Sequence, residues 1–567
     1  MEFRADASPP GLYATKAFEA GDVIIDEAPL FVFRPLSSED DKAVSSQFKN
    51  ITSDPAAATK KAAAAANSGK KKGGKKKKKS ASVKFVASLD DIQCPSHVDS
   101  AYAGKFRSMV MAAATYAHGR GIGAINDDTR SRILSLYAPN IENPGDDERI
   151  IVSTACAALK YCRDNAVGES KLSKLVKGDN EAQRECLQIM LIWSCNAFEG
   201  GMLYEQTSRV NHSCDANAIV RESPNGPRPA SASAAAAASK DGNVDNVPIQ
   251  QPVQQQVVAT SSIKAGDEIT ISYLGIFGYA GGTVRLDQLR KTKNFTCRCS
   301  RCTSTDRASA VPCPSCQPRV NGRYLDEEVQ YDDDKTVKYC HPKNAESASQ
   351  SMQCQHCGET TSAANVMTML NKVCDKVTAR LERTSSASSA TRSDDDEDPT
   401  DAEQEMDEQL FHLASSVLGA KHWTTNLMAL SMLNRQLSAI HAATLMGGSP
   451  PDLTELAECI DTLQRLWDYV NGLELKADSA HLLCGPTIGI ARALVSLGDV
   501  KSRKYAAEWI EKVEEYVRNF EVEGMVKVVE ALKEAWKRDD LEAVANEDME
   551  GMEEEEDMGS NKRARIS

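Results

Sequence analysis

No stretch of this 567-residue chain offers the roughly 18 uninterrupted apolar residues that a membrane-crossing helix needs, so no spanning segment is expected. The opening Met1-Glu2-Phe3-Arg4-Ala5-Asp6 also lacks the apolar core of a secretion leader. Without a leader, the 17 cysteines are expected to stay reduced. Their densest group falls between residues 297 and 357, which favours metal ligation over disulfides. An even charge distribution is missing too. The net charge is −14, yet Lys70–Lys79 is almost pure lysine, while Ser393–Glu408 and Glu547–Asp557 are strongly acidic. Such runs read first as solvated segments. A lysine run also suits nuclear import or nucleic-acid contact, and an acidic surplus would attract basic substrates.

What is present is enough chain, 41% of it hydrophobic, for two or three domains with real cores. Residues 11–33 read as two short strands joined at Gly21-Asp22, a turn signal. From about 36 the composition collapses into Ala, Lys, Gly and Ser, an expected disordered insert. Residues 100–198 read as helical, with an apolar stripe on Ala182–Cys195. Strand character returns at 203–221 and 257–274, split by a Pro/Ala/Ser/Gln loop over 223–256. After a polar, acidic linker, residues 405–540 are helical. Leu456, Ile460, Leu463, Trp467 and Val470 share one face, as do Ala506, Trp509, Val513 and Tyr516. Paired helices without a strict repeat period are expected there.

The thiols carry the clearest chemistry. Cys297, Cys299 and Cys302 lie too close together to serve two metals and need a fourth ligand, for which Cys214 is the candidate. A zinc ion held this way would staple two distant segments, a folding role. Cys313-Pro314-Ser315-Cys316 and Cys354-Gln355-His356-Cys357-Gly358 read as the two knuckles of a zinc ribbon, with Cys340 and His341 as weaker competitors. Cys94 and His97 stand isolated and read as parts of the insert.

Gly11-Leu12-Tyr13-Ala14, Asn196, Asn211-His212-Ser213-Cys214, Gly266-Asp267-Glu268-Ile269, Ile271-Ser272-Tyr273, Arg285 with Leu289, and Phe295 before the Cys-x-Cys-x-x-Cys occur in the order of a SET domain followed by its post-SET zinc site. With the helical insert and helical C-terminus, the chain resembles the SET-and-MYND class of protein-lysine methyltransferases over roughly 9–35, 140–303 and, more weakly, 405–540. The resemblance implies an α+β fold: a SET β-core with a pseudo-knot and helical insert, a post-SET zinc site, a zinc ribbon and an all-α, TPR-like C-terminal domain. The implied boundaries are 1–35 (first part of the SET domain), 36–99 (insert), 100–200 (helical insert), 201–284 (SET core), 285–360 (zinc segments), 361–404 (helix and acidic linker), 405–540 (helical domain) and 541–567 (acidic tail).

The resemblance further implies transfer of a methyl group from S-adenosyl-L-methionine (AdoMet) to a protein lysine, in a histone or another protein, with two structural zinc ions. By similarity, Gly11, Leu12, Asn196, Asn211, His212, Tyr273 and Phe295 bind the cofactor, and Tyr273 is the catalytic residue. A peptide partner is expected at the C-terminal helices. Membrane and nucleic-acid partners are not expected, and residence is cytoplasmic, nuclear or both. Three departures stand out. The Cys/His block of a MYND finger is missing, with the Ala/Lys insert in its place. Pro9-Pro10 replaces the first part of a Gly-x-Gly opening and removes backbone donors. Lys293 stands where the class often has a Tyr lining the lysine channel, and a cation there would repel an incoming ammonium. Lys293 and Pro9-Pro10 motivate the alternative of a weakly active or inactive SET-shaped zinc scaffold that binds partners through its C-terminal helices.

Overall fold

The computed structural model describes residues 1–5, 10–33, 43–44, 46–48, 92–198, 201–223, 253–313, 315–316, 319–320, 323–324, 338–345, 351–362, 372–383, 401–445, 453–476, 480–497, 499–520, 526–527 and 529–534. The expectations for Pro9, the lysine run, most of the 223–256 loop and the acidic tail lie outside these residues.

The first strands are β1 (Glu2–Arg4), β2 (Gly11–Tyr13), β3 (Val23–Glu27) and β4 (Phe31–Val32). Gly21 makes the turn before β3 with φ of +90°, a conformation that side-chain-bearing residues avoid. The Asp22 carboxylate closes the same turn by accepting from the Glu19 N–H at 2.8 Å. Then come helices α1 (Ala103–Ile122), α2 (Asp127–Leu134), α3 (Arg149–Asn165), α4 (Lys171–Lys177) and α5 (Asn180–Asn196). Asp179 caps α5 by accepting from the Ala182 N–H, and the stripe of Cys186, Leu187, Ile189, Met190 and Leu191 is buried.

One boundary moves. Val44, Phe48 and Ile92 are buried in the core of these helices, so both flanks of the expected 36–99 insert belong to the packed fold. The few apolar residues there were hidden by the Ala/Lys composition around them. Cys94 is half-buried and packs against the same core.

The strands β5 (Met202–Leu203), β6 (Asn211–His212), β7 (Ala218–Glu222), β8 (Gln255–Ala259) and β9 (Thr270–Ile271) complete small sheets. β8 is central in an antiparallel β3-β8-β7 sheet, β1 pairs with β2 and β4 with β5. β6 and β9 run parallel, with Asn211 opposite Thr270 and His212 opposite Ile271. Much of 203–217 is turn rather than strand.

Helix α6 (Gly282–Lys293) and the single turn α7 (Ser300–Thr303) lead to the cysteine-rich region. There, β10 (Val311–Pro312), β11 (Arg319–Val320), β12 (Arg323–Tyr324), β13 (Tyr339–Pro342), β14 (Ser351–Cys354) and β15 (Thr360–Ser362) form a β10-β13-β14-β15 sheet and a separate β11-β12 pair. Helix α8 (372–383) precedes α9 (Asp401–Leu418), α10 (Trp423–Leu445), α11 (Leu453–Gly472), α12 (Ala480–Ser496) and α13 (Val500–Phe520). The helical part thus begins at residue 401, before the expected 405. Leu456, Leu463, Trp467 and Val470, and Ala506, Trp509, Val513 and Tyr516, are all buried along their helices. The helices seat on the β-core: Tyr469 Oη donates to the Tyr279 carbonyl at 2.6 Å, the Trp423 N–H to the Ala308 carbonyl at 2.9 Å, and the Lys476 N–H to the Asp215 carboxylate at 2.8 Å.

Candidate functional site

The site begins with a close approach of β2 to the segment of β6. A side-chain carbon at Gly11 would lie 2.5 Å from Asn211 Nδ2 and 2.7 Å from Glu268 Oε1, closer than packing tolerates. Glycine there lets the Asn211 side chain donate to the Pro10 carbonyl and to the Glu268 carboxylate, both at 2.7 Å. Pro10 therefore contributes an acceptor, although its ring removes a donor. Leu12 is buried and receives the Ile269 N–H on its carbonyl at 2.8 Å. These contacts fix the end of β9, and with it Tyr273.

Tyr273 is held at both ends. Its backbone N–H donates to Nδ1 of His212 at 3.0 Å, and its hydroxyl donates to the Val210 carbonyl at 2.5 Å. Burial pushes the phenol above its ordinary range, so it remains protonated at neutral pH. The rings of His212, Tyr273 and Phe295 gather, with centroids 5.2 Å apart for His212–Tyr273, 5.9 Å for His212–Phe295 and 6.4 Å for Tyr273–Phe295. Phe295 follows Asn294, which ends α6 in the left-handed conformation with φ of 61°.

Lysines border this group. Lys293 Nζ stacks 5.1 Å from the centroid of the Tyr273 ring. Lys105 reaches from the helical insert to the Thr292 carbonyl at 2.9 Å. Burial lowers both ammonium groups, that of Lys105 to about 8, with the nearby Cys195 sulfur opposing the shift and Lys293 adding like-charge repulsion at Lys105. Burial raises the Cys195 thiol to about 11. Asn196 lies next to it on α5 but is committed elsewhere: its side-chain NH₂ donates to the Tyr137 and Ile192 carbonyls at 2.7 and 2.8 Å. Asn211, His212, Tyr273, Gly11 and Phe295 are thus brought together, whereas the Asn196 amide nitrogen faces the helical insert.

Among the described residues two four-cysteine groups have their sulfurs within 4.8 Å of one another: Cys214, Cys297, Cys299 and Cys302, and Cys313, Cys316, Cys354 and Cys357. Tetrahedral Zn–S bonds of about 2.3 Å place sulfurs about 3.8 Å apart. The observed separations bracket that value: 4.0 Å for Cys214–Cys297, 3.5 Å for Cys214–Cys302, and 3.8 Å for both Cys313–Cys357 and Cys316–Cys354. Hydrogen bonding from Cys214 leads the effects that hold Cys299 down to about 5 and Cys297 well below its usual range. Cys340, although buried, is not a member of the second group, and neither is His341.

The surroundings of the first group fit a metal tetrathiolate, which carries two excess negative charges. Arg285 is fully buried 3.6 Å from Asp306, donates to the Ala280 carbonyl at 2.6 Å, and leaves Nε and Nη2 without a partner among the described residues. Arg301 donates to the Cys214 and Gly278 carbonyls at 2.9 and 2.5 Å and likewise leaves Nη2 unpartnered. Burial opposes the Arg285 charge, but Asp306 and the sulfurs of Cys214 and Cys302 hold it firmly protonated. Two cations with unused donors beside four sulfurs satisfy the charge balance that a buried anionic centre demands. The sequence showed Arg285 only as a family landmark; its pairing with the sulfurs required the fold.

Residues 10–274 match the family model of the SET domain. No curated protein matches the chain. SET domains are generally those of AdoMet-dependent protein-lysine methyltransferases.

Proposed function

We propose that this SET-domain protein is an AdoMet-dependent methyltransferase acting on protein lysine side chains, histone or non-histone, with two structural zinc ions. The single observation that carries the proposal is the double anchoring of Tyr273, by His212 at its backbone and Val210 at its hydroxyl, inside the ring group with Phe295. When bound, AdoMet supplies a methyl group made electrophilic by a sulfonium.

The chain's own residues would do the rest. Gly11, Leu12, Asn211 and His212 frame the cofactor, largely through backbone groups, and Phe295 offers an aromatic face to its adenine. Asn196 would contribute through its side-chain oxygen, its amide hydrogens being engaged. Tyr273 would orient the acceptor amine along the line of displacement, where placement supplies much of the rate. Burial beside a cationic sulfonium favours the neutral amine that attack requires. Zinc at Cys214, Cys297, Cys299 and Cys302 would hold Phe295 against the core. Zinc at Cys313, Cys316, Cys354 and Cys357 would close the ribbon.

Calorimetric titration with AdoMet, paired with transfer of a labelled methyl group to histones and to a protein extract, tests this function. Binding with lysine labelling is expected, and Tyr273→Phe should reduce transfer by about 10²-fold, the scale of a 1 Å misplacement. Absence of both binding and transfer by the wild type would sink it.

A second reading, a catalytically silent scaffold, is favoured by Lys293 covering the Tyr273 ring. Its partner would meet the C-terminal helices, where Leu437, Ile440, His441, Pro486 and Arg492 line a cleft of about 320 Å³ between α10 and α12. That scaffold would hold zinc normally yet lose nothing in Tyr273→Phe.

A further inference from the structure

We propose that Lys293 is a methyl acceptor of its own chain, modified within the same molecule at the Tyr273 site. The proposal rests on the methyltransferase function given above and names a substrate that the structure itself contains.

Basic residues in the last turn of a helix ordinarily extend to water or cap free carbonyls, where the helix dipole favours them. The neighbours of Lys293 behave in this way. Arg290 donates to Thr296 Oγ1 at 3.2 Å, and Lys291 pairs with Asp287 at 2.6 Å. Lys293 does not. Its side chain is half-buried and makes no hydrogen bond or ion pair among the described residues, and its amine lies on the face of Tyr273. Asn294, 4% exposed and in the left-handed conformation, ends the helix at a fixed point and so fixes where the Lys293 side chain starts. A primary amine without a polar partner, set beside the tyrosine that orients acceptor amines in this fold, is where an acceptor should be.

The chemistry closes without a further reactant beyond AdoMet. The lone pair of neutral Nζ forms a bond to the methyl carbon. The carbon–sulfur bond breaks with its electron pair passing to sulfur, which leaves as a neutral thioether. The nitrogen then releases one proton to water. Burial, which lowers the Lys293 ammonium below its ordinary range, makes the neutral form easier to reach. Methylation would also enlarge and fix the side chain over Tyr273, so the modified protein would present a narrower acceptor space to other lysines.

Full-length protein as isolated, and after incubation with AdoMet carrying a trideuterated methyl group over a wide range of protein concentrations, should be mapped by peptide mass. AdoMet binding is measured in parallel by calorimetry. A methyl increment on Lys293 in the isolated protein, or heavy label there at a first-order rate independent of protein concentration, is the expected result. Lys293→Arg should lose that label while keeping its zinc and its AdoMet affinity. AdoMet binding with Lys293 unmodified under both conditions would overturn the inference and leave the proposed function standing. A rate that scales with protein concentration would also overturn it, since the transfer would then pass between molecules. Absence of AdoMet binding would instead remove the function on which it rests.

Discussion

The imidazole Nε2 of His212 lies 3.3 Å from the sulfur of Cys214. The other ring nitrogen accepts the Tyr273 backbone N–H and must therefore be bare, so the ring proton sits on Nε2 and points at the sulfur. One histidine ring thus spans from the sulfur of Cys214, a candidate metal ligand, to the backbone of the candidate catalytic residue. Outer hydrogen bonds of this kind orient ligands and tune the metals they hold.

Removing the lone upstream ligand should separate the segments it joins. Cys214→Ser is expected to lower the zinc content from about two ions per chain to about one and to weaken AdoMet binding, because the stretch carrying Phe295 is released. Elemental analysis of the purified protein and calorimetry check both parts.

His212→Phe keeps a ring in place but offers neither nitrogen. Zinc should still bind at Cys214, Cys297, Cys299 and Cys302, with an affinity lower by about 10–100-fold, read by chelator competition. An unchanged affinity would show that the 3.3 Å contact is incidental.

Gly11→Ala would force a carbon to within 2.5 Å of Asn211 Nδ2 and 2.7 Å of Glu268 Oε1. The strain of such overpacking is about 1–3 kcal/mol. A lower urea midpoint with an unchanged slope, accompanied by weaker AdoMet binding, is the expected outcome.

His422 should give the fold an acid limit. It is 3% exposed, and its Nδ1 lies 2.8 Å from Thr424 Oγ1 and accepts the Thr424 N–H at 3.3 Å. Burial, only partly opposed by Asp306, pushes its pKa down from 6.5 to about 3. Between those values the unfolded chain binds the proton and the folded chain does not. The stability from keeping His422 neutral is therefore complete above pH 6.5 and is lost as pH falls toward 3, by up to about 1.4 kcal/mol per pH unit. Denaturant titrations of wild type and His422→Gln across this window should converge as the pH drops.

The parts of this architecture legible in the sequence were those with strict local spacing. Cysteine knuckles announce themselves because tetrahedral zinc leaves few ways to place four sulfurs, and both groups assemble as their spacing implied. Periodic faces such as Ala506, Trp509, Val513 and Tyr516 are readable because burial repeats with the helix turn. Roles that depend on a partner far along the chain were not legible. Arg285 waits on sulfurs supplied by residue 214 and by residues beyond 297, and the commitment of Asn196 to Tyr137 depends on how α5 packs. The burial of Val44, Phe48 and Ile92 was obscured because single apolar residues in a biased segment show no period. Lys293 was legible as a departure, but only the fold shows its amine on the Tyr273 ring.

The parallel pairing of Asn211–His212 with Thr270–Ile271 also sets a timetable. Gly11 meets residues about two hundred positions later, Lys105 reaches Thr292, and Cys214 meets Cys302 across 88 positions. Contacts so distant in sequence close slowly, because the intervening chain must first be gathered. During synthesis the N-terminal strands therefore leave the ribosome long before their partners exist. The helical insert, whose helices pack mainly on one another, can consolidate in the meantime. Metal capture by Cys214 and the 297–302 thiols would then be a closing event, after which the tyrosine site first exists as a surface able to receive a ligand.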